Sequence, residues 1–382
     1  MDFTETETQT ELAGLARKIF SERITATRLA TIESHPDRFD ENLWADLAGA
    51  GILAAALPEP TGGAGLGLLE QCSVLIEAGR AVAPVPYLAS IVLGAGAIAK
   101  FGTPKQQRKW AAPAGQGELI LTVALEDEAV STRGDDPPEP PDTRAEPLPR
   151  GGWQLTGVKT SVPFAPLADL ILVPARTPEG VKVFLVEPTD TGVTIERQHL
   201  TSGDSAGRVT LDGAAVPEGY VLRAGPDAAD WLEATGCVGL CAHQAGVAAK
   251  ALELTAAYAR TREQFGKPIG AFQAVAQRLA DAYIDTEAIR LTMWQAAWRL
   301  SEGLPAAAEI ATAKFWASDG GHRVAHTAVH VHGGVGIDTE AETHRYFTAA
   351  KQNEFALGGA TAHLLRIGAG LAASAGEEPG ES

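Results

Sequence analysis

The chain has 382 residues, of which 45% are hydrophobic and 21% charged, a composition typical of a globular protein with two or three packed domains. Its formal net charge of −17 argues against a general nucleic-acid role, because non-specific binding to DNA depends on a basic surface that neutralises phosphates. Three cysteines without a CxxC spacing are too few for a disulfide framework or a zinc site, so we expect a protein of the reducing cytoplasm.

Apolar residues in the first third of the chain, from Thr4 to about Gly115, recur with helical spacing. The first dozen residues are acidic and polar, the reverse of a signal peptide. The loop Pro58–Gly67 contains a Gly-x-Gly-x-Gly run, but no strand precedes it, so we do not expect a Rossmann fold. The uncharged stretch Ala81–Ala99 is rich in Ala and Gly and has prolines near its start, which predicts a buried helix from near Tyr87 rather than a membrane span.

The middle of the chain is predicted to be β-structure. Short aliphatic or β-branched runs alternate with Gly, Pro and Asp at a spacing of roughly ten residues, which favours a small antiparallel barrel or sandwich. The runs are Leu119–Leu125, Trp153–Val158, Leu170–Pro174, Val181–Val186 and Val209–Leu211. The proline-rich, acidic segment Gly134–Arg150 is predicted to be an exposed, flexible loop.

Long helices are predicted for the last part of the chain, over about Ala228–Phe265, Phe272–Leu300, Pro305–Val331 and Thr343–Ala372. The second is apolar around most of its circumference, so its own bundle or another subunit must cover it. The predicted fold is therefore α+β and mainly α. It has an N-terminal helical domain (residues 1–117), a middle β-domain (118–225) and a C-terminal four-helix bundle (226–382) with a disordered tail (375–382).

Two motifs in the C-terminal helices are more specific than this order of elements. The first is Tyr258–Ile269 (YARTREQFGKPI), followed by Phe272-Gln273, and the second is His332–Gly336 (HGGVG) about 60 residues later. Together they resemble the signature of the acyl-CoA dehydrogenase family. The middle zone is similar to that family as well, in Ala124-Leu125-Glu126 and in Gly157-Val158-Lys159 ahead of Ala168-Asp169-Leu170.

This resemblance implies an FAD flavoprotein with three domains, assembled as a dimer of dimers. In the family, a carboxylate removes the α-proton of an acyl-CoA thioester while the β-hydride passes to the flavin. Each FAD lies at a subunit interface, where one chain's β-domain holds the flavin and the neighbour's helical bundle reaches the pyrophosphate and adenosine.

The resemblance assigns the contacts that this chain would lend to a neighbour's FAD. Arg262 would pair with the pyrophosphate, a role that suits a guanidinium fork. Phe265 would pack beside the adenosine, and Gly333 and Gly334 would allow close backbone approach. Two further positions complete the expected cofactor-binding set, Gln273 and His330, the latter standing where the family usually has Gln. The alternative is that Arg262 caps a helix C-terminus and the glycines only turn the chain.

The residues that would hold the chain's own flavin depart from the family pattern. Where the family has Thr-Glu-Pro, then glycines and a serine, this sequence has Leu125–Ala129 (LEDEA). The aromatic residue and the threonine that face the flavin ring are replaced by Ser161 and Pro163. Because acidic side chains repel an anionic pyrophosphate, we expect the in-cis flavin site to be degraded.

The two positions that carry the catalytic base in the family align with Leu357 and Gly236, neither of which accepts a proton. The arginine that commonly meets CoA aligns with Cys237, which we expect to be a buried packing residue together with Cys241. Substitute bases would have to come from neighbouring positions, namely Glu354, Glu233 and His243. Both carboxylates lie three residues, about 4.5 Å of helical rise, from the family positions, so either would need a rearranged pocket.

These observations favour a non-catalytic subunit of a hetero-oligomeric acyl-CoA dehydrogenase, which lends FAD contacts to a catalytic partner in an α2β2 assembly. The acyl-CoA substrate would bind on the partner. The sequence around His344–Phe347 resembles the branch that degrades steroid side chains, so a steroid-CoA substrate is expected. Two alternatives stay open: a competent homotetramer that uses Glu354 or Glu233, and a flavin-free structural subunit.

Overall fold

The computed structural model describes residues 4–128 and 141–376, and its N-terminal part is helical as predicted. The first four helices are α1 (Glu7–Arg23), α2 (Ala26–Glu33), α3 (Glu41–Gly49) and α4 (Leu68–Ala81). The first three begin at side chains that accept a backbone N–H, namely Thr6, Thr25 and Asp40. Such caps satisfy the otherwise unpaired amides of a first turn. The predicted loop Pro58–Gly67 is confirmed, with only the 3₁₀ turn Glu59–Thr61 inside it.

The uncharged stretch is a buried helical segment, as the sequence predicted. It forms the π-helical turns Tyr87–Ala95, which continue directly into α5 (Gly96–Phe101). A second segment consists of α6 (Pro104–Gln106), the π-helical turn Gln107–Ala111 and α7 (Ala112–Gly115). Within residues 4–128 and 141–376, no helix combines the length and the apolarity that crossing a membrane requires.

The middle of the chain folds into one curled, seven-stranded sheet. Its strands are β1 (Leu121–Val123), β2 (Arg144–Pro147), β3 (Trp153–Pro163), β4 (Leu170–Thr177), β5 (Gly180–Val186), β6 (Val193–His199) and β7 (Ser205–Val216). The order is β1-β4-β2-β3-β7-β6, and β5 pairs with β4. The expectation of purely antiparallel strands was wrong, because β4 pairs parallel with both β1 and β2.

Two of these strands were not predicted. β2 lies inside the proline-rich segment that the sequence assigned to a flexible loop, and it pairs with β3 from Arg144↔Thr156 to Pro147↔Trp153. The loop prediction was therefore wrong for Arg144–Pro147, and its residues up to 140 lie outside the described part of the chain. β6 is mostly polar and exposed and is held by its pairing with β7, so apolar runs gave no sign of it.

Strand β4 divides the hydrophobic interior in two. Leu170 and Leu172 join a large core with the N-terminal and C-terminal helices, whereas Ile171 and Val173 face a smaller core inside the sheet. This alternation follows from the two-residue period of a strand and explains why β4 reads as a continuous apolar run. The sheet thus packs against the helices through one face of β4 and of its neighbours β1 and β5.

The C-terminal part contains five helices, where four were predicted. They are α8 (Gly225–Thr261), α9 (Gln273–Ser301), α10 (Ala307–His332), α11 (Glu342–Phe355) and α12 (Ala360–Gly376). The predicted last helix is broken at Ala356–Gly359, where Leu357 and Gly358 have φ of 55° and 94°. Of the predicted disordered tail, residues 375 and 376 end α12 and the rest lies outside the described residues.

Helices α4 and α8 cross at close contact through two glycines. A Cβ at Gly79 would overlap the His243 carbonyl oxygen, and one at Gly246 would overlap the Ile76 carbonyl oxygen. Only glycine permits backbones to approach this closely. The crossing fixes α8 against the N-terminal helices, and so it fixes both ends of α8, where the candidate functional residues lie.

Candidate functional site

A short hairpin follows α8 in place of the helical residues that the sequence predicted. α8 ends at Thr261, and Glu263–Gln264 (β8) pairs with Lys267–Pro268 (β9) around the two-residue turn Phe265-Gly266. Both turn residues have positive φ, 53° and 79°, which is the requirement of a type I′ turn. The helix prediction therefore extended four residues too far, because this turn chemistry competes with the helix.

Phe265 combines backbone strain with exposure. A left-handed conformation costs a residue with a Cβ about 1–2 kcal/mol, yet the Phe265 side chain is 93% exposed. Its ring is in edge-to-face contact with Phe272, at 6.1 Å between ring centroids. Its own chain gives this aromatic ring almost no compensating burial. Strain held at an exposed aromatic residue points to a contact made outside the chain.

Arg262 links the end of α8 to the same hairpin. Its backbone N–H donates to the Tyr258 carbonyl at 2.8 Å, and its carbonyl accepts from the Ile269 amide at 2.8 Å. The guanidinium itself is exposed, and within residues 4–128 and 141–376 it has neither an ion pair nor a side-chain hydrogen bond. The backbone of Arg262 thus ends the helix, while its five N–H donors stay available to an anion.

A cavity of about 280 Å³ lies between the hairpin and the end of α10. Its walls are mostly apolar or aromatic, formed by Phe265, Ile269, Phe272, Ala274, Val275 and Val331. Three nitrogen-bearing side chains also line it, namely Gln264, His330 and Arg278. The structure therefore brings the predicted residues Phe265 and His330 together. Gln273 is exposed and lies in the chain between two lining residues, Phe272 and Ala274.

Gly333 and Gly334 form an open turn directly after α10. The helix ends at His332, whose ring stacks on Tyr258 at 4.4 Å between centroids. Gly333 has φ 63° and ψ −137°, a conformation that is essentially restricted to glycine. A Cβ at Gly333 or Gly334 would meet nothing within 4 Å, so their backbone is accessible from solvent.

We call Arg262, Phe265, Gln273, His330, Gly333 and Gly334 the hairpin surface. Its residues suit part of a dinucleotide, since an unpaired guanidinium fits a pyrophosphate, an exposed ring fits a purine, and a bare glycine backbone admits close approach. The alternative in which Arg262 only caps α8 accounts for its backbone but leaves its side chain without a role.

Gly236 and Leu357, the residues that the family resemblance assigns to the two positions of the catalytic base, face each other in the structure. A Cβ on Gly236 would lie 3.0 Å from Leu357 Cδ1 and 3.6 Å from the Cδ1 atoms of both Leu125 and Leu93. We call these four residues the leucine pocket. Methyl groups of three leucines surround the position of a Gly236 Cβ, and none of the four side chains of the leucine pocket can accept a proton.

The backbone of Leu357 is held in place by buried polar groups. The Lys314 ammonium donates to the carbonyls of Gly358 at 2.8 Å, Asn353 at 3.0 Å and Glu354 at 3.3 Å, and to Ser318 Oγ at 2.8 Å. The Leu357 amide donates to the Glu126 carboxylate at 2.7 Å. Burial lowers the pKa of Lys314 and raises the pKa of Glu126. These bonds fix the linker between α11 and α12, and Leu357 with it.

The residues that the resemblance assigns to the chain's own flavin site bond to other side chains of the chain. Lys159 Nζ lies 2.7 Å from an Asp127 oxygen, both side chains are buried, and Asp127 also accepts from the amide and hydroxyl of Thr143. Burial lowers the pKa of Lys159 despite this partner. Glu128 accepts two N–H groups from Arg208, at 2.9 and 3.0 Å. These carboxylates complete internal ion pairs where the family offers hydrogen-bond donors to the flavin.

A second part of the predicted in-cis flavin site is formed by Ser161 and Pro163 on β3. The Ser161 amide donates to the Gln198 side-chain oxygen at 2.7 Å, and Ser161 has φ 52°. Pro163, the other replacement, carries no N–H to donate. Pro163 thus removes one donor from this part of β3, whereas Ser161 keeps a hydroxyl that can donate.

The substitute bases are all engaged elsewhere. Glu354 lies 2.6 Å from Lys351 Nζ and 3.2 Å from His322 Nδ1, on the α10 side of α11. Glu233 pairs with Arg366 at 2.8 Å. His243 is buried, which lowers its pKa, and its Nδ1 accepts from the Asn353 amide at 3.0 Å. None of the three joins the leucine pocket. Among the described residues, no cluster of His, Cys, Asp or Glu could hold a metal ion.

Lys314 and Lys159 were missed by the sequence reasoning. Lys314 interrupts the buried alanines Ala311, Ala313 and Ala317 of α10, and a lysine on such a stripe signals a buried charge with specific partners. Lys159 was recognised only as part of the motif Gly157-Val158-Lys159, without a role of its own. Cys237 and Cys241 are buried, as expected for packing residues.

Comparison with known proteins identifies the family. A model of the acyl-CoA dehydrogenase N-terminal domain matches residues 6–118, and a model of the C-terminal domain matches residues 234–372. The chain is also 48% identical to acyl-CoA dehydrogenase FadE27 of Mycobacterium tuberculosis, over 97% of this chain and 99% of that protein. This chain belongs to the acyl-CoA dehydrogenase family.

The chain also matches several solved structures along nearly its whole length. It matches the ChsE4–ChsE5 complex from Mycobacterium tuberculosis with a TM-score of 0.92 and 49% identity, covering 99% of this chain and 100% of the matched one. It matches a variant of the Tcur3481–Tcur3483 steroid ACAD with a TM-score of 0.90 and 43% identity, over 97% and 99% of the chains. A glutaryl-CoA dehydrogenase from Mycobacterium smegmatis in complex with FADH2 shares the fold at 22% identity (TM-score 0.87, covering 97% and 95% of the chains).

Proposed function

We propose that this chain is the non-catalytic subunit of a hetero-oligomeric, FAD-dependent acyl-CoA dehydrogenase, and that its hairpin surface completes the FAD site of a catalytic partner. The leucine pocket carries this proposal. Both family positions for the base meet there, and both are occupied by residues that cannot take the α-proton. A general base must approach its proton to about 3 Å, and Glu354 and Glu233 are held by other partners.

The in-cis flavin region supports the same division of roles. Asp127, Glu128 and Ser161 are bonded within the chain. A pyrophosphate placed there would meet carboxylates, whereas one placed on the hairpin surface would meet Arg262 and bare glycine backbone. When bound at such a shared site, FAD supplies the hydride acceptor. This chain's part is to bind and orient the dinucleotide.

The partner is a second acyl-CoA dehydrogenase subunit. The two most similar structures above are each described by a pair of proteins, ChsE4–ChsE5 and Tcur3481–Tcur3483, and the latter is described as a steroid ACAD. These pairs support a heteromeric assembly. We further propose, from the family resemblance, that the assembly is α2β2 with two FAD molecules and that a steroid side-chain CoA thioester binds on the partner.

The test is flavin stoichiometry. We expect the chain purified alone to be colourless, and the co-expressed complex to contain one FAD for every two chains. Arg262→Ala in this chain should reduce the flavin content of the complex several-fold. The matched control is Arg260→Ala, whose guanidinium already donates to the Ala256 carbonyl at 3.2 Å.

The alternatives give different results. One FAD per chain in the isolated protein, reduced when acyl-CoA is added, would establish a competent homotetramer. Unchanged flavin content in the Arg262→Ala complex would instead favour a flavin-free structural subunit. Either result would overturn the proposal.

A further inference from the structure

Arg278 on α9 is the charged residue of the hairpin cavity that no motif singled out. It lines the cavity of about 280 Å³ beside Phe265 and His330, and it also lines a larger cavity of about 780 Å³ between α9 and α10. Ala274 lines both cavities as well, one helical turn before Arg278. Because residues four apart lie on one face of a helix, Ala274 and Arg278 share a face of α9, and this face lines both cavities.

The guanidinium of Arg278 has no ion pair or hydrogen bond within the parts of the chain that the structure describes. Its neighbour in the larger cavity behaves differently, since Arg323 donates to both oxygens of Asp285, at 2.9 and 2.6 Å, and also pairs with Asp319. Asp281, three residues from Arg278, lies on the same face without pairing to it. Arg278 is therefore a cation with free donors beside an aromatic wall.

We infer that Arg278 binds the adenine of the dinucleotide that this chain shares with its partner, with its guanidinium plane against the purine. This inference rests on the proposed function and adds a residue to it. The cavity walls are apolar or aromatic, which suits a base better than a phosphate. An arginine stacks on aromatic rings and donates to ring nitrogens, whereas Arg262 lies outside the cavity and is left for the pyrophosphate.

The experiment titrates flavins into the deflavinated complex of this chain with its partner and measures dissociation constants by fluorescence. We expect Arg278→Ala to raise the dissociation constant of FAD about 5- to 30-fold, as expected for the loss of one cation–π contact. It should leave that of FMN unchanged, because FMN lacks the adenosine half. ADP should compete with FAD more weakly in the variant. Arg278→Lys should recover only part of the loss, since an ammonium cannot stack.

Three results would overturn the inference. The first is an FAD dissociation constant within twofold of wild type. The second is an equal loss of affinity for FMN and for FAD, which would show that Arg278 acts through folding or through a long-range electrostatic effect. The third is a weakened subunit association at unchanged FAD affinity, which would assign Arg278 to a protein contact. If Arg262→Ala still weakens FAD binding in any of these cases, the proposed function stands without Arg278. If Arg262→Ala is also silent, both fail.

Discussion

His363 on α12 predicts a pH dependence of stability that originates beside the leucine pocket. Its Nε2 lies 3.0 Å from the Leu357 carbonyl, and its buried Nδ1 has no hydrogen-bond partner among the described residues. The neutral ring donates through Nε2 and leaves Nδ1 bare. Protonation would bury a second N–H without an acceptor, so burial lowers the pKa of His363 from 6.5 to about 4.

The sign and size of the effect follow from proton linkage. Between the lowered pKa of the folded state and the ordinary value of the unfolded state, the unfolded chain binds more protons, so the free energy of unfolding falls as the pH falls through this window. For this shift the loss between about pH 7.5 and about pH 5 amounts to about 2 kcal/mol. It should saturate below about pH 4, where both states are protonated.

The assay is urea unfolding of the wild type and of His363→Gln at those two pH values. Glutamine keeps an N–H for the Leu357 carbonyl but does not titrate, so the variant should lose about 2 kcal/mol less than the wild type on acidification. Buried His243 contributes with the same sign to both proteins and cancels in the difference. His35→Gln, at an exposed site, serves as the control. An identical acid sensitivity in wild type and His363→Gln would refute the reasoning.

Three further outcomes can be measured on the purified chain. Lys314→Met removes the Lys314 donor from the Gly358 and Asn353 carbonyls and one of two donors from the Glu354 carbonyl, and we expect urea unfolding to show a loss of about 3 kcal/mol. Gly246→Ala should cost about 2–4 kcal/mol because its Cβ overlaps the Ile76 carbonyl, whereas Gly14→Ala, in open space on α1, should gain up to about 1 kcal/mol in the same assay. Leu357→Glu should not make the isolated chain oxidise acyl-CoA, since Asp127, Glu128 and Ser161 are still bonded within the chain; a yellow protein that acyl-CoA bleaches would contradict this.

The sequence predicted the helical elements well where apolar periodicity ran over many residues, as in α9 and α10. It failed where local turn chemistry decided the outcome. Phe265-Gly266 forms a tight turn that ends α8 early, and Leu357-Gly358 breaks the last helix through positive φ. Positive φ at Phe265 and Leu357 is imposed by the surrounding structure and leaves no compositional trace.

Only part of the candidate site could be predicted from the sequence, because some of its contacts depend on tertiary structure. Motif spacing predicted the residues of the hairpin surface, and the family resemblance predicted that Gly236 and Leu357 take the two positions of the base; the structure shows these two residues in contact. The buried bonds of Lys314 and the Asp127–Lys159 pair join residues distant in sequence. Such partners depend on tertiary packing, so no periodicity could reveal them.

The crossing of α4 and α8 at Gly79 and Gly246 has a consequence for biosynthesis. The two helices are separated in the chain by the whole middle sheet, and the surfaces that meet at this crossing stay uncovered until α8 has been made. At ordinary translation speeds α4 leaves the ribosome on the order of ten seconds before α8. For that interval the nascent chain exposes the apolar surface of α4 that will pack against α8. We expect chaperones that bind exposed apolar surface to act on the chain at this stage.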